Sequence, residues 1–253
     1  MEITEHIDAL RREGLLLADA AARTELSAPV PTCPKWQLAD LLRHIGSVHR
    51  WAASILGQGL RERPGQAGEF AAVGPVPSDD ALLAWYREGH AALVDTLSST
   101  PSDVECWTFL PSTSPLAFWA RRQAHETAIH RHDADAAAGV PGPAVDTTLA
   151  ADGIDELVSG LMVRGRATLR SDRRRTLLVR TTDGVGSWHL TITQEPPTVT
   201  TGETPAPADL TLAGPADELY PLLWNRLSAG QARQVEVSGD ESLLDLWHNA
   251  ATI

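Results

Sequence analysis

The sequence predicts a two-domain α+β protein, a four-helix bundle followed by a small α/β domain. Three observations carry this. Apolar residues recur at spacings of three and four through most of the first 138 residues, PGPAVD then interrupts that pattern, and beyond about residue 175 it gives way to alternation. The first period places side chains on one face of a helix, and the second on one face of a strand. At 253 residues the chain is long enough to bury two cores, so residues 1–143 and 144–253 are expected to fold as separate domains.

The first helix is expected from Ile3 to about Arg23 on Ile7, Leu10, Leu15 and Leu17, and it breaks at the proline-rich SAPVPTCP. The second spans about Lys35 to Leu56, entered through Pro34 and closed by Gly57 and Gly59. Gly57 to Pro77 reads as a Gly- and Pro-rich connection. Ser78 is the N-cap of a third helix, about Asp79 to Leu97, with Leu82, Trp85, Tyr86, Gly89 and Leu93 on one side. Ser98 to Ser114 is long for a bundle loop and carries Trp107 and Phe109; a loop of this length is either a binding loop or an irregular packed one. Ser114 and Pro115 then give the cap and first-turn proline of the fourth helix, which stops at Gly139.

In the second half a helix is expected over about Thr148 to Leu169. Thr176–Thr182 and Trp188–Thr193 flank Asp183-Gly184, a strong turn signal, and read as a hairpin. Thr198–Thr201 and Asp209–Leu212 are further strands. GPADELYPLLWNRL is a helix entered through Gly214 and Pro215, and QVEVSGDESLLDLWHNA is a strand followed by a last helix.

Composition excludes several functions. A formal charge of −12 with interspersed signs repels phosphate backbones and anionic membranes, so neither nucleic acid nor a membrane is an expected partner. No stretch approaches the roughly 20 apolar residues of a membrane span, and MEITEHIDALRREG lacks the apolar core of a signal peptide. Cys33 and Cys106 are far apart, without CxxC spacing; they suit a reducing cytoplasm and argue against a disulfide framework or a cysteine-based zinc site.

The residues that carry chemistry are His44, Glu126 and His130. Glu126 and His130 in ARRQAHETAIHRHD are four apart and project from one helical face. His44 shares a stripe with Leu41, Val48, Trp51 and Ile55 that should face inward. An ionised carboxylate among aliphatic neighbours must be paired or bind a metal, so the three residues form a candidate metal site with a coordination position to spare. His49, on a stripe with Leu38, Leu42, Ile45 and Ala52, is an alternative to His44. His125 with Glu126 begins like the HExxH zinc-protease motif, but Ile129 stands where its second histidine is required. His132 and Asp133 are candidates to orient a ligand imidazole.

Read as a whole, CPKWQLADLLRHIGSVHRWA, FWARRQAHETAIHRHDADAAAG, GPADELYPLLWNRL and VSGDESLLDLW, in that order, resemble the mycothiol-dependent maleylpyruvate isomerase family. The resemblance implies a DinB-like up-down four-helix bundle and a sterol-carrier-like C-terminal domain. It implies metal ligands at His44, Glu126 and His130, and a contact to substrate or cofactor from Arg226 in LWNRL. At His132 the chain departs from the family, where an aromatic residue is frequent.

Zinc is commonly held by three protein ligands in catalytic sites, leaving a position for water or substrate. A thiol there is ionised, and the thiolate is the nucleophile. Zn2+ is the expected ion, with mycothiol as the thiol cosubstrate that the family implies. The expected enzyme attacks a small electrophile as a maleylpyruvate isomerase or as an S-transferase, and the chain is a monomer or homodimer. Arg87, Arg121 and Arg122 are candidate cations for a dicarboxylate substrate. The alternatives are a metal hydrolase, with His49 or His125 as general base, and a non-enzymatic protein binding a small molecule.

Overall fold

Helix α1 (Ile3–Ala22) turns Ile7, Leu10, Leu17 and Ala18 inward, whereas Leu15 is 56% exposed. Leu15 lies five residues past Leu10 and two before Leu17, off the stripe that those residues define. Residues 1–165, 167–202 and 207–251 are described in this computed structural model, and the chain divides into units Met1–Pro143 and Ala144–Ile253. The first unit is completed by α2 (Leu38–Gln58), a short α3 (Gln66–Val73), α4 (Asp79–Ser99) and α5 (Pro115–Ala138). Both α1 and α2 pack against α4 and α5, which makes the four long helices a bundle.

Helix α2 begins at Leu38, three residues later than its pattern suggests. Gln37 is its N-cap, in a reciprocal capping box with Asp40. The preceding PTCPKW segment is a turn, closed by Val30 N–H to Trp36 O at 2.9 Å and an isolated bridge between Pro29 and Gln37. Those bonds hold the backbone out of the helix. Helix α3 lies within the expected connection; Phe70 there is 76% exposed and none of its residues is buried, so periodicity could not reveal it.

Close packing of α1 on α4 depends on Gly14. The Tyr86 hydroxyl donates to Gly14 O at 3.0 Å, and His90 Nε2 bonds Leu10 O at 3.0 Å. A Cβ on Gly14 would sit 2.1 Å from His90 Nε2, and the His90 ring is stacked on Tyr86 and cannot swing aside freely. Gly14→Ala is therefore expected to destabilise the protein by about 1–3 kcal/mol despite alanine's better helix propensity, read as a lowered denaturant midpoint at unchanged m.

The second unit opens with α6 (Thr147–Asp155), capped by Asp146 through Thr148 N–H and Leu149 N–H. It runs into a π-helical turn at Glu156–Leu161 and stops there, short of the expected Leu169; residue 166 lies outside the described residues. Among the described residues the sheet has five strands in the order β3-β2-β1-β4-β5. β1 (Arg175–Thr181) pairs antiparallel with β2 (Ser187–Ile192) around Gly184, whose φ of 80° suits glycine. β2 pairs antiparallel with β3 (Thr198–Thr201), β1 parallel with β4 (Leu210–Gly214), and β4 antiparallel with β5 (Glu236–Gly239). Central β1 buries Leu177, Leu178 and Val179 in succession, as a strand covered on both faces does.

Helix α7 (Ala216–Leu223) packs on α6 and β4, and α8 (Ser242–Ala250) closes the unit. α7 ends before the asparagine of LWNRL because Asn225 takes a left-handed φ of 58°, and the chain turns back with Asn225 N–H to Leu222 O at 3.0 Å and Arg226 N–H to Pro221 O at 2.7 Å. Among the described residues no helix is long and apolar enough to cross a membrane.

Candidate metal centre

The α2 and α5 stripes face each other across the bundle, and this brings together residues 82 positions apart. His44 Nε2 lies 3.3 Å from Glu126 Oε1, and His130 Nε2 lies 3.4 Å from the same oxygen. The three donor atoms all fall within 4.8 Å of one another. Two atoms bound tetrahedrally to one zinc at 2.0–2.2 Å stand roughly 3.3–3.6 Å apart, so both imidazole-to-carboxylate separations suit a shared cation. The donor set is also that of catalytic zinc and related divalent sites, in which three protein ligands leave one position open.

Each donor is held by a second contact. Arg122 Nη2 donates to Glu126 Oε2 at 2.7 Å, which leaves Oε1 toward the histidines. Asp133 Oδ2 lies 2.8 Å from His130 Nδ1; with the proton on Nδ1, the Nε2 lone pair faces the centre. Cys33 Sγ makes a long contact of 3.6 Å to that same Asp133 oxygen. Trp36 lies over the site, its ring centroid 5.0 Å from that of His44 and 6.0 Å from that of His130, nearly parallel to the latter. Access is graded, with side-chain exposures of 37% for His44, 21% for Glu126 and 8% for His130.

The electrostatics follow from these contacts. Burial opposes ionisation of Glu126, but Arg122 and hydrogen bonds from the two histidines outweigh it and hold the carboxyl well below the usual range. Burial likewise opposes the charged form of His130, yet Asp133 and Glu126 raise its pKa above the ordinary histidine value. His130 therefore takes up a proton more readily than an ordinary histidine, and a cation held here would have to displace it.

The other candidates fall elsewhere. His49 is wholly buried, with Nε2 2.9 Å from Thr127 Oγ1 and its ring beside His90 and Tyr86; burial and His90 push its pKa well down. It joins the inter-helix core and not the triad. His125 is buried with its ring 6.0 Å from that of His6 on α1, away from α2. Asp133 does contact a triad imidazole, whereas His132 is not among the three converging donors. Arg122 is committed to Glu126, Arg87 is exposed on α4, and Arg121 is half-buried on α5. Arg226, in the second unit, donates through Nη1 to Trp224 O at 2.9 Å. Trp36 and the Arg122–Glu126 pair had escaped sequence reasoning; the i, i+4 spacing of the pair was its available signal.

A bundle with a His–Glu–His cluster on adjacent helices, followed by a small mixed-sheet unit, defines a two-domain protein with a candidate three-donor metal centre. The family model of the mycothiol maleylpyruvate isomerase N-terminal domain matches residues 7–135, and that of the corresponding C-terminal domain matches residues 148–246. The chain belongs to the mycothiol maleylpyruvate isomerase family. Its fold matches the crystal structure of the mycothiol-dependent maleylpyruvate isomerase with a TM-score of 0.65 at 13% identity, covering 94% of this chain and 93% of that one. A mutant of that enzyme matches at the same TM-score of 0.65 and 12% identity, with the same coverage of 94% and 93%. No curated protein matches the chain in sequence.

Proposed function

We propose that this chain is a metal- and mycothiol-dependent enzyme of maleylpyruvate isomerase or S-transferase type, with His44, Glu126 and His130 as the metal ligands. The convergence of three donors within 4.8 Å, with both histidines 3.3–3.4 Å from one Glu126 oxygen, carries the reading. Family membership supports mycothiol as the thiol. Zn2+ is the ion that best fits two imidazoles and a carboxylate. A cation held there lowers the pKa of a bound thiol and maintains the nucleophilic thiolate at neutral pH.

The protein's own groups act around that step. Arg122 keeps Glu126 ionised and in one orientation; Asp133 fixes the tautomer of His130; Trp36 covers both imidazoles on one side. The thiolate sulfur bonds to an alkene carbon of the electrophile, and the π pair moves onto the conjugated carbonyl oxygen. Rotation about the new single bond and expulsion of the thiolate give the isomer and regenerate the thiol. A proton reaching the α-carbon first leaves a stable conjugate, the transferase outcome. Arg226 is a candidate contact to substrate or thiol. Incubating the protein with mycothiol and a panel of electrophiles that includes maleylpyruvate tests the reading by mass spectrometry. Adducts or isomers that vanish on chelation of the metal support it, and metal-independent turnover excludes it.

Two further results are expected. Asp133→Asn leaves His130 without its carboxylate and should weaken metal binding about 10–100-fold in chelator competition, with the fold retained by circular dichroism. Metal affinity should also fall with pH. His130 binds metal only when neutral, and its pKa is raised, so affinity is full above that pKa and declines as pH drops through it, sooner than for an ordinary histidine. Glu126 stays ionised across that window and does not set the fall. Titrations from about pH 8 to about pH 5.5 measure the midpoint, and Asp133→Asn should move it to lower pH.

A further inference from the structure

Among the described residues, Trp51 Nε1 on α2 and Gln123 Oε1 on α5 are buried polar atoms with no hydrogen-bond partner, as is His49 Nδ1 deeper in the core. Gln123 is 1% exposed, and native structures rarely leave such groups unmatched unless a ligand or water completes them. Their positions relate to the triad by helix geometry. Trp51 is seven residues beyond His44, and Trp119 seven before Glu126. Seven residues are nearly two whole turns, so each tryptophan lies on the same face as its ligand, about 10 Å along the axis. Gln123 falls between the two levels. The indoles of Trp51 and Trp119 meet edge to face with centroids 5.3 Å apart, and Trp107 stands 5.9 Å from Trp51. The loop bearing Trp107 is clipped to this end, through Trp107 N–H to Leu60 O at 2.6 Å and Trp119 Nε1–H to Trp107 O at 2.9 Å.

An unmatched donor and an unmatched acceptor in an indole-walled seam suit a planar ligand that offers a carbonyl oxygen and an O–H or N–H. They do not suit paired carboxylates. Arginines of α2 and α5 are committed, Arg122 to Glu126 beside the triad, Arg131 to Asp135 and to Glu13 on α1, and Arg50 to Trp85 O and the Trp85 ring on α4.

We propose that Trp51, Trp119 and Gln123 form the electrophile subsite, and that it takes a planar conjugated carbonyl compound bearing a hydroxyl or N–H in preference to an acyclic dicarboxylate. This deepens the thiol-addition reading and rests on it. Gln123 Oε1 accepts from the ligand's hydroxyl, and Trp51 N–H donates to the carbonyl oxygen, where negative charge collects as sulfur bonds to the β-carbon. The proton lost by the thiol ends on the α-carbon, so thiol and enone give one thioether with nothing left over.

The first test is binding, independent of metal and thiol. Calorimetry of the metal-free protein with 4-(4-hydroxyphenyl)butan-2-one, which has no alkene to attack, should show binding that Gln123→Leu weakens about tenfold, the scale of one lost hydrogen bond. The analogue without the hydroxyl should bind wild type and Gln123→Leu within about twofold of each other. Trp51→Phe keeps the ring and deletes the N–H; with the matching enone and mycothiol it should lower kcat more than it changes KM. Wild type should turn over that enone with a kcat/KM about tenfold or more above that for maleylpyruvate. Failure of the wild type to bind the saturated ketone, equal binding of it by Gln123→Leu, or a preference for maleylpyruvate overturns the subsite while leaving the thiol reading intact. Turnover of no electrophile overturns both.

Discussion

His44→Ala should leave a folded bundle that no longer holds its metal or activates a thiol. The side chain is 37% exposed and, among the described residues, its imidazole hydrogen-bonds Glu126 and packs beside Trp36 and His130 at the rim of the bundle, so little core packing is lost. One of three donors disappears, and an alanine cannot place a lone pair at the centre. Metal content should drop from near one per chain to a small fraction, and thiol-dependent turnover by on the order of 10³-fold, the scale on which loss of an electrostatic stabiliser reads out. Elemental analysis measures the first and kcat/KM with mycothiol the second, with the melting curve as control. Normal turnover in this variant would remove His44 from the ligand set.

Arg131→Met should produce the largest loss of stability. The guanidinium is 3% exposed and bridges α1 and α5, through Nε to Glu13 Oε2 at 2.9 Å and through Nη1 to Asp135 Oδ2 at 2.7 Å and Pro143 O at 2.9 Å. Glu13 is itself 1% exposed, its other contact being Arg12 Nε at 3.1 Å. Methionine fills similar volume but leaves Glu13 buried beside an apolar chain. Removing one partner of a buried ion pair costs about 3–5 kcal/mol, because the remaining charge has lost its compensation. Chemical denaturation should show a lowered midpoint of that size. The double variant Glu13→Leu with Arg131→Met should recover part of the loss, since the more deeply buried of the two carboxylates is gone and Asp135 alone is left without its guanidinium.

These two residues mark what could and could not be read in advance. Glu126 and His130 were legible because four residues on a helix always share a face, and His44 because its stripe pointed inward. Their meeting was an expectation that burial of Glu126 and the family resemblance supported, since no spacing rule connects positions 82 apart. The resemblance favoured His44 over His49, and the pairing of α2 with α5 sends His49 to Thr127 and His44 to Glu126. Helix starts followed their caps at Ser78 and Ser114, but α2 begins late because hydrogen bonds around Cys33 and Trp36 compete with it. The fifth expected helix stopped early, in a π turn that periodicity does not announce. No spacing or motif sets Arg131 apart from the other arginines of α5; only the packing of α1 on α5 makes it a buried bridge.

By itself the chain's pattern determined the four long helices and the strands, where the helical period gives way to alternation, and which side chains have the chemistry to hold a cation. Those are local properties, set by period, capping and residue type within a few turns. The tertiary structure decided which histidine joins Glu126, which arginines are already paired, and which polar atoms stay unmatched beside the aromatic seam. Those outcomes depend on distances between elements remote in sequence, which are fixed only when the helices dock.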